Sequence, residues 1–441
     1  KCVLHRLEDM RMTGKRNPYS SDYKIGLDEN LNIIAYETIF FQNSGAAADL
    51  SPAVLDRTLF HTTNSYFIPN VTATGYSCRT NLPPNTAFRG FGGPQGMFVI
   101  EAAIHHAARE LDVDASIIQQ KNLLKKGDEF PYGQLAGGDE AWLCWQEAVE
   151  RYDLESIRED IHRFNMEHEY VKKGLALMPI CFGISFTNTS MNQARALVHV
   201  YSDGSVGVST GAVEMGQGVN MKMLQVAAKT FGIPIEKVKL ETTNTSRVAN
   251  TSPSAASSTA DLNGKALEDA CLQILRRLET VAAGLVGSTP FTVSWGAPFT
   301  ADGGVNAAPQ NSLKAVLPGN GASIEIKDGR VFFGGSPTDL TWDELIKTAF
   351  LQRINLSAKG HYATPEIHFN RDINKGHPFA YHVFGTAIII ATIDCIRGTY
   401  KFDAVKVVHD FGASMNRQID LGQAEGGIVQ GIGWMTCEEL I

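Results

Sequence analysis

The sequence predicts a mixed α/β (α+β) fold of two subdomains, each with mixed sheets and flanking helices. Three observations lead there. Segments that alternate apolar and polar residues, the strand period, recur between amphipathic segments of helical period. Tight turns such as Ser202-Asp203-Gly204 join neighbouring strand segments. The chain has 441 residues, 44% of them hydrophobic, which is enough for more than one core.

In chain order, residues 1–45 read as strands, with Tyr23 to Gly26 and Ile33 to Phe40 joined through Asp28-Glu29-Asn30. Ser51 caps a short helix from Pro52 to Phe60 that carries Arg57. Residues 66–82 alternate as a strand, and a Gly-rich loop then opens a helix over 94–111. Helices follow at 114–121, 139–152 and 154–169. Strands are expected over 174–185, 195–201 and 205–209, a helix over 220–231, a strand over 238–243 and a long helix over 265–286. Residues 287–341 are rich in Gly, Pro, Ser and Asn and read as a surface insertion with a hairpin near 324–333. A helix over 342–351, a strand pair at 386–394 and 400–408, and a helix over 421–440 complete the chain. The division expected is one subdomain over 1–125, a helical connector over 126–173, and a second subdomain over 174–441.

Charge and cysteine usage narrow the function classes. The net charge is −8, from 39 basic and 47 acidic residues, which argues against a nucleic-acid partner. Seven scattered cysteines include no C-x-x-C, so no zinc ribbon or iron–sulfur site is written here, and a reducing compartment is expected. No apolar run is long enough to span a bilayer; 387–392 is strand-sized. The chain begins at Lys1 and stops in helix-like sequence, so a segment of a longer polypeptide is expected.

Three loops carry the candidate chemistry. Residues 85–95, Asn-Thr-Ala-Phe-Arg-Gly-Phe-Gly-Gly-Pro-Gln, place Phe88, Arg89 and Phe91 at a helix entrance. An arginine beside a helix N-terminus favours an anionic or electron-rich ligand. A dinucleotide fingerprint fails because Gln95 stands where its third glycine belongs; a plain strand-to-helix turn remains the alternative. Glu214-Met215-Gly216-Gln217-Gly218 sets an amide between glycines before a helix, and an amide can donate to an oxo ligand or accept from a ring N–H. Residues 252–261 expose backbone N–H groups through small side chains, as anion sites do, although a Ser-rich helix cap would look the same. No P-loop, G-x-S-x-G or H-E-x-x-H pattern is present.

These loops resemble the molybdenum-domain motifs of the xanthine dehydrogenase/oxidase and aldehyde oxidase family. So do Glu8-Asp9-Met10, Phe182-Gly183-Ile184-Ser185-Phe186-Thr187, Asn192-Gln193-Ala194 and Ile419-Asp420-Leu421-Gly422-Gln423, which fall in the family's order. The resemblance implies a molybdopterin-binding domain, with 1–125 the C-terminal part of its first subdomain, and three loops that meet at one molybdenum–molybdopterin cofactor. It implies that Arg89 and Ala256 lie beside the metal without ligating it. Phe88, Gly216, Gln217, Ala255, Ala256, Ser257 and Thr259 would hold the cofactor. Phe91 and Phe186 would sandwich a flat substrate, with Thr187 beside it. Arg57 would hold a purine carbonyl oxygen, the feature of the xanthine dehydrogenase branch, where aldehyde oxidases carry a neutral residue.

The implied reaction is hydroxylation of hypoxanthine to xanthine to urate with oxygen from water. Electrons would leave through 2Fe-2S clusters and FAD, held on other segments, to NAD or O₂. A homodimer of the complete enzyme in the cytoplasm or peroxisome is implied, with no membrane partner. The family's catalytic glutamate, in a Gly-Glu-Pro-Pro string, has no counterpart in this sequence. The chain alone is therefore expected to be inactive and to work with further segments of the same protein. The competing readings are a broad-specificity aldehyde oxidase-like hydroxylase and a non-catalytic structural homologue.

Overall fold

The computed structural model describes residues 2–286 and 324–438. Most of the expected insertion, 287–323, lies outside the described residues. The fold is mixed α/β, and two compact units emerge: Lys1–Thr189 with Glu366–Phe411, and Ser190–Pro365 with Gly412–Ile441.

The first unit begins with α1 (Arg6–Met12), β1 (Tyr19–Leu27), β2 (Ile33–Gly45), α2 (Ser51–Phe60), β3 (Val71–Arg79) and α3 (Gly93–Glu110). Next come α4 (Ala115–Lys121), α5 (Glu140–Arg151), α6 (Leu154–Glu167) and β4 (Val171–Ile184). The chain then builds most of the second unit with β5 (Gln193–Val200), β6 (Val206–Thr210), α7 (Val219–Phe231), β7 (Val238–Leu240) and α8 (Thr259–Leu285). That unit continues with β8 (Ile324–Lys327), β9 (Arg330–Phe333), β10 (Ser336–Thr341), α9 (Trp342–Leu351) and β11 (Ser357–Ala363). The chain returns to the first unit for β12 (His368–Asn370), β13 (Lys375–His377), β14 (Tyr381–Asp394) and β15 (Thr399–His409). It ends in the second with α10 (Arg417–Thr436).

In the first unit one sheet runs β1-β2-β3, with β1–β2 antiparallel and β2–β3 parallel, and another runs β15-β14-β4, all antiparallel. Its core gathers Ile100, Ile104 and Ile118 from helices with Trp145, Leu177, Cys181, Phe379 and Ile388. The helical pair expected as a connector belongs to this unit. Asn165 of α6 exchanges two hydrogen bonds with the Lys173 backbone, and the Tyr152 hydroxyl donates to the Val407 carbonyl at 3.0 Å. A mixed-charge helix pair reads as solvated, yet its apolar positions, such as Trp145 and Ala148, are fully buried here.

In the second unit the sheet runs β11-β5-β6-β7 and a separate antiparallel sheet runs β10-β9-β8. Val198, Val206, Val208, Phe231, Ile274 and Trp342 are buried in it. The indole N–H of Trp342 donates to the Gly204 carbonyl at 2.7 Å, so the expected hairpin turn is tied to α9. Helix α9 starts with a capping box, Thr341 with Glu344.

Three elements depart from the sequence expectation. Residues 6–12 form a helix where strands were expected. Short strands β11 to β13 occupy a stretch with no clear period, because long-range pairing rather than local pattern creates them. Helix α8 starts at Thr259, six residues before the expected position, since the last residues of the Ser/Ala/Thr run, Thr259 to Leu262, join the helix while 250–258 stay a loop.

Candidate functional site

Arg57 lies near the end of α2 and is 1% exposed. Its Nη1 donates to the Gly183 carbonyl at 2.5 Å, and its Nη2 donates to the Ser185 carbonyl. The rings of Phe182 and Phe379 stand 5.1 and 5.0 Å from its guanidinium carbon, within cation–π range. Burial lowers its pKa to about 10, so it stays cationic at neutral pH, and its Nε has no partner. Among the described residues no carboxylate neutralises it. A buried charge without a counter-charge is normally unfavourable, so this cation is suited to an electron-rich ligand.

Just past Ser185 come Phe186 and Thr187, both buried. Helix α2 therefore sets Arg57 against the strand end that delivers two further candidate residues. His61, one turn beyond, accepts from the Gly183 N–H at its Nε2 (3.0 Å) and donates from Nδ1 to the Arg57 carbonyl (2.9 Å). Those partners require the neutral Nδ1–H form. Burial, then the Arg57 charge, holds the imidazole pKa well below its usual value.

The Gly-rich loop enters α3 through Phe91 and Gly92, with φ of +51° and +98°. A Cβ at Gly92 would stand 2.1 Å from the Val54 carbonyl oxygen, and one at Gly93 would stand 2.7 Å from the Phe182 ring. These glycines let α3 start hard against α2 and β4, so the close approach is made to protein. The same packing sets the start of α3 against α2, which carries Arg57, and against Phe182 of β4. Arg89 is exposed; its carbonyl accepts from Arg16 Nη1 at 2.9 Å, and the Arg16 guanidinium lies 4.4 Å from the Phe88 ring centroid.

The second and third loops meet in the second unit, where the Val213 N–H donates to Ser254 Oγ at 2.7 Å. Glu214 folds its carboxylate over the start of α7. It accepts from the N–H groups of Gly216 (2.8 Å), Gly218 (2.9 Å) and Asn220 (3.0 Å). Those hydrogen bonds, Asn220's first, hold its pKa below the usual range. An anion thus already sits at this ring of donors. Gln217 turns back on its own loop, accepting from the Met215 N–H (2.6 Å) and donating to the Val213 carbonyl (2.8 Å).

In the third loop Ala256 and Ser257 both take positive φ, +58° and +57°. Two consecutive non-glycine residues in that region carry backbone strain, which gathers at ligand clamps. They open the 27-residue α8 at Thr259, next to Ala255. From the far end of the unit, Ile419 of α10 backs onto Gly218, and Lys222 pairs with Asp420 at 3.1 Å.

Comparison with known proteins gives the family. Two family models described as molybdopterin cofactor-binding domain match residues 1–123 and 147–441. The chain belongs to the molybdopterin cofactor-binding domain family. The xanthine dehydrogenase/oxidase of Gallus gallus is 40% identical over 440 residues, covering 100% of this chain and 29% of that protein. The xanthine dehydrogenase of Oryza sativa subsp. japonica is 39% identical, again over the whole chain and 28% of its own length. The molybdopterin-binding chain thus spans less than a third of the relatives it matches. The aldehyde oxidoreductase of Desulfovibrio gigas shares the fold, with a TM-score of 0.76, 22% identity, and coverage of 97% of this chain and 40% of that one.

The residues fit the family's cofactor. Consecutive residues at positive φ, Ala256 and Ser257, give the turn before α8 the kind of backbone concavity that receives an anionic group, while at the start of α7 the Glu214 carboxylate takes the donors. Sequence reasoning missed His61, Asn64, Glu101 and Gln119, which hold β4. One signal was available: Glu101 is a carboxylate on the apolar face of α3. It quoted Glu214 without giving it a role.

Proposed function

We propose that this chain is the central part of the molybdopterin-binding portion of a purine hydroxylase of the xanthine dehydrogenase type, working with further segments of a longer enzyme. The observation that carries the reading is Arg57, a buried cation without a counter-charge among the described residues, beside the strand end that leads to Phe186 and Thr187. Its charge suits a purine carbonyl oxygen, where negative charge grows as the ring is hydroxylated. Phe91, Phe186 and Thr187 line the flat substrate.

Within the second unit, Gly216, Gln217, Ala255, Ala256, Ser257 and Thr259 would hold the cofactor. When bound, the molybdenum–molybdopterin supplies a two-electron oxidation with oxygen drawn from water. Iron–sulfur and flavin groups on other segments would take the electrons. The seven cysteines are free, which supports a reducing compartment such as the cytoplasm.

A second reading is a hydroxylase of wider aldehyde specificity. It is favoured by the commitment of both Arg57 Nη atoms to backbone carbonyls, which gives the arginine a structural task. Metal content and turnover of xanthine and of an aromatic aldehyde, measured on the intact enzyme and on Arg57→Met, separate the two. The purine reading expects xanthine turnover to fall about a hundredfold or more while aldehyde turnover persists. Equal retention of both activities would overturn it.

A further inference from the structure

Among the described residues strand β4 is paired on one side only, by β14. On its other edge a row of side chains stands where a neighbouring strand would. Gln119 Nε2 donates to the Leu177 carbonyl at 2.9 Å. Asn64 donates to the Pro179 carbonyl at 2.6 Å and accepts from the Cys181 N–H at 3.1 Å. His61 accepts from the Gly183 N–H, and Arg57 donates to the Gly183 and Ser185 carbonyls. Every second residue from Leu177 to Ser185 is thus met by a side chain, matching the two-residue period of a strand edge. Pro179 has no N–H to offer on that edge, so its carbonyl alone needs a partner.

This wall is held rigid from behind. The buried Glu101 carboxylate accepts from Asn64 (2.9 Å) and Tyr66 (2.7 Å) at one oxygen, and from Gln119 (2.7 Å) at the other. Asn64 itself has a positive φ of +47°, which asparagine tolerates better than most residues. A backbone ladder can slip by two residues and remain paired. Four different side chains at fixed points cannot, so the wall sets one register for β4.

We propose that Asn64 and His61 are positioning residues for substrate: they set the register of the β4 end and so place Phe186 and Thr187. This rests on the purine-hydroxylase reading above. The test uses the intact, molybdenum-loaded enzyme and Asn64→Gly, which keeps the backbone freedom and removes the side chain. His61→Asn, too short to reach the Gly183 N–H, carries the test if Asn64→Gly does not fold. KM and kcat for xanthine, molybdenum content, and amide hydrogen exchange over 177–187 are measured together.

The expected result is a KM raised about tenfold or more, kcat nearly kept, normal molybdenum, and faster exchange confined to 177–187. An unchanged KM, or KM and kcat lost together with the metal, overturns the proposal. If the wild-type enzyme does not hydroxylate xanthine, the functional reading fails. Exchange then decides the positioning claim: no local change in 177–187 overturns it, and a local change sustains it.

Discussion

Glu101→Gln offers a direct test of the buried carboxyl at the centre of the first unit. Burial raises the Glu101 pKa from 4.5 to about 7, and hydrogen bonds from Tyr66, Gln119 and Asn64 oppose that rise without cancelling it. At roughly 1.36 kcal/mol per pH unit, that displacement corresponds to about 3 kcal/mol. Between pH 4.5 and 7 the folded protein holds a proton at Glu101 that the unfolded chain has released, so raising the pH favours unfolding. The contribution is fully present below 4.5 and is lost as pH rises through about 7.

His61 works in the opposite sense. Its lowered pKa makes its contribution present above 6.5 and lost as the pH falls. Comparing wild type with Glu101→Gln, rather than wild type alone, removes that opposing slope. The assay is denaturant unfolding followed by intrinsic fluorescence, with Trp145 buried in the same core cluster as Ile100 and Ile104. The stability of wild type relative to the variant should fall by about 3 kcal/mol between pH 4.5 and 7.5. A flat difference, or one that rises with pH, would show that the three donors outweigh burial and would refute the reasoning.

Two other substitutions test the packing and the cofactor loop. Gly92→Ala sets a Cβ 2.1 Å from the Val54 carbonyl at a φ of +98°, so it should destabilise the protein by roughly 2 kcal/mol or more. A melting temperature equal to wild type would contradict the close approach of α3 to α2. Glu214→Ala frees the N–H groups of Gly216, Gly218 and Asn220 and loosens the loop that carries Gln217. It should lower the molybdenum bound per chain, and full metal content would show that the carboxylate does not shape this loop.

The signals that were legible in the sequence were local ones. Pro94 in the first turn of α3 and the turn at Ser202-Asp203-Gly204 each specify their element through nearest neighbours. The loop strings at 85–95, 214–218 and 252–257 were distinctive enough to name the family, which the comparisons bear out. The glycines of the first loop were anticipated as sites of close approach, but pattern alone could not say that the approach is to Val54 and Phe182. Asn64 gave no signal at all, because an isolated polar residue after a helix looks like any solvated turn.

What the sequence by itself determined was the class of fold and the family, since those follow from periodicity and from residues adjacent in the chain. Tertiary structure decided which polar groups carry charge in a dry interior. Arg57 meets carbonyls about 130 residues away, and Glu101 takes donors from three separate segments. The physical reason is that desolvation and hydrogen-bond satisfaction depend on what surrounds a group in space. No window along the chain contains that information.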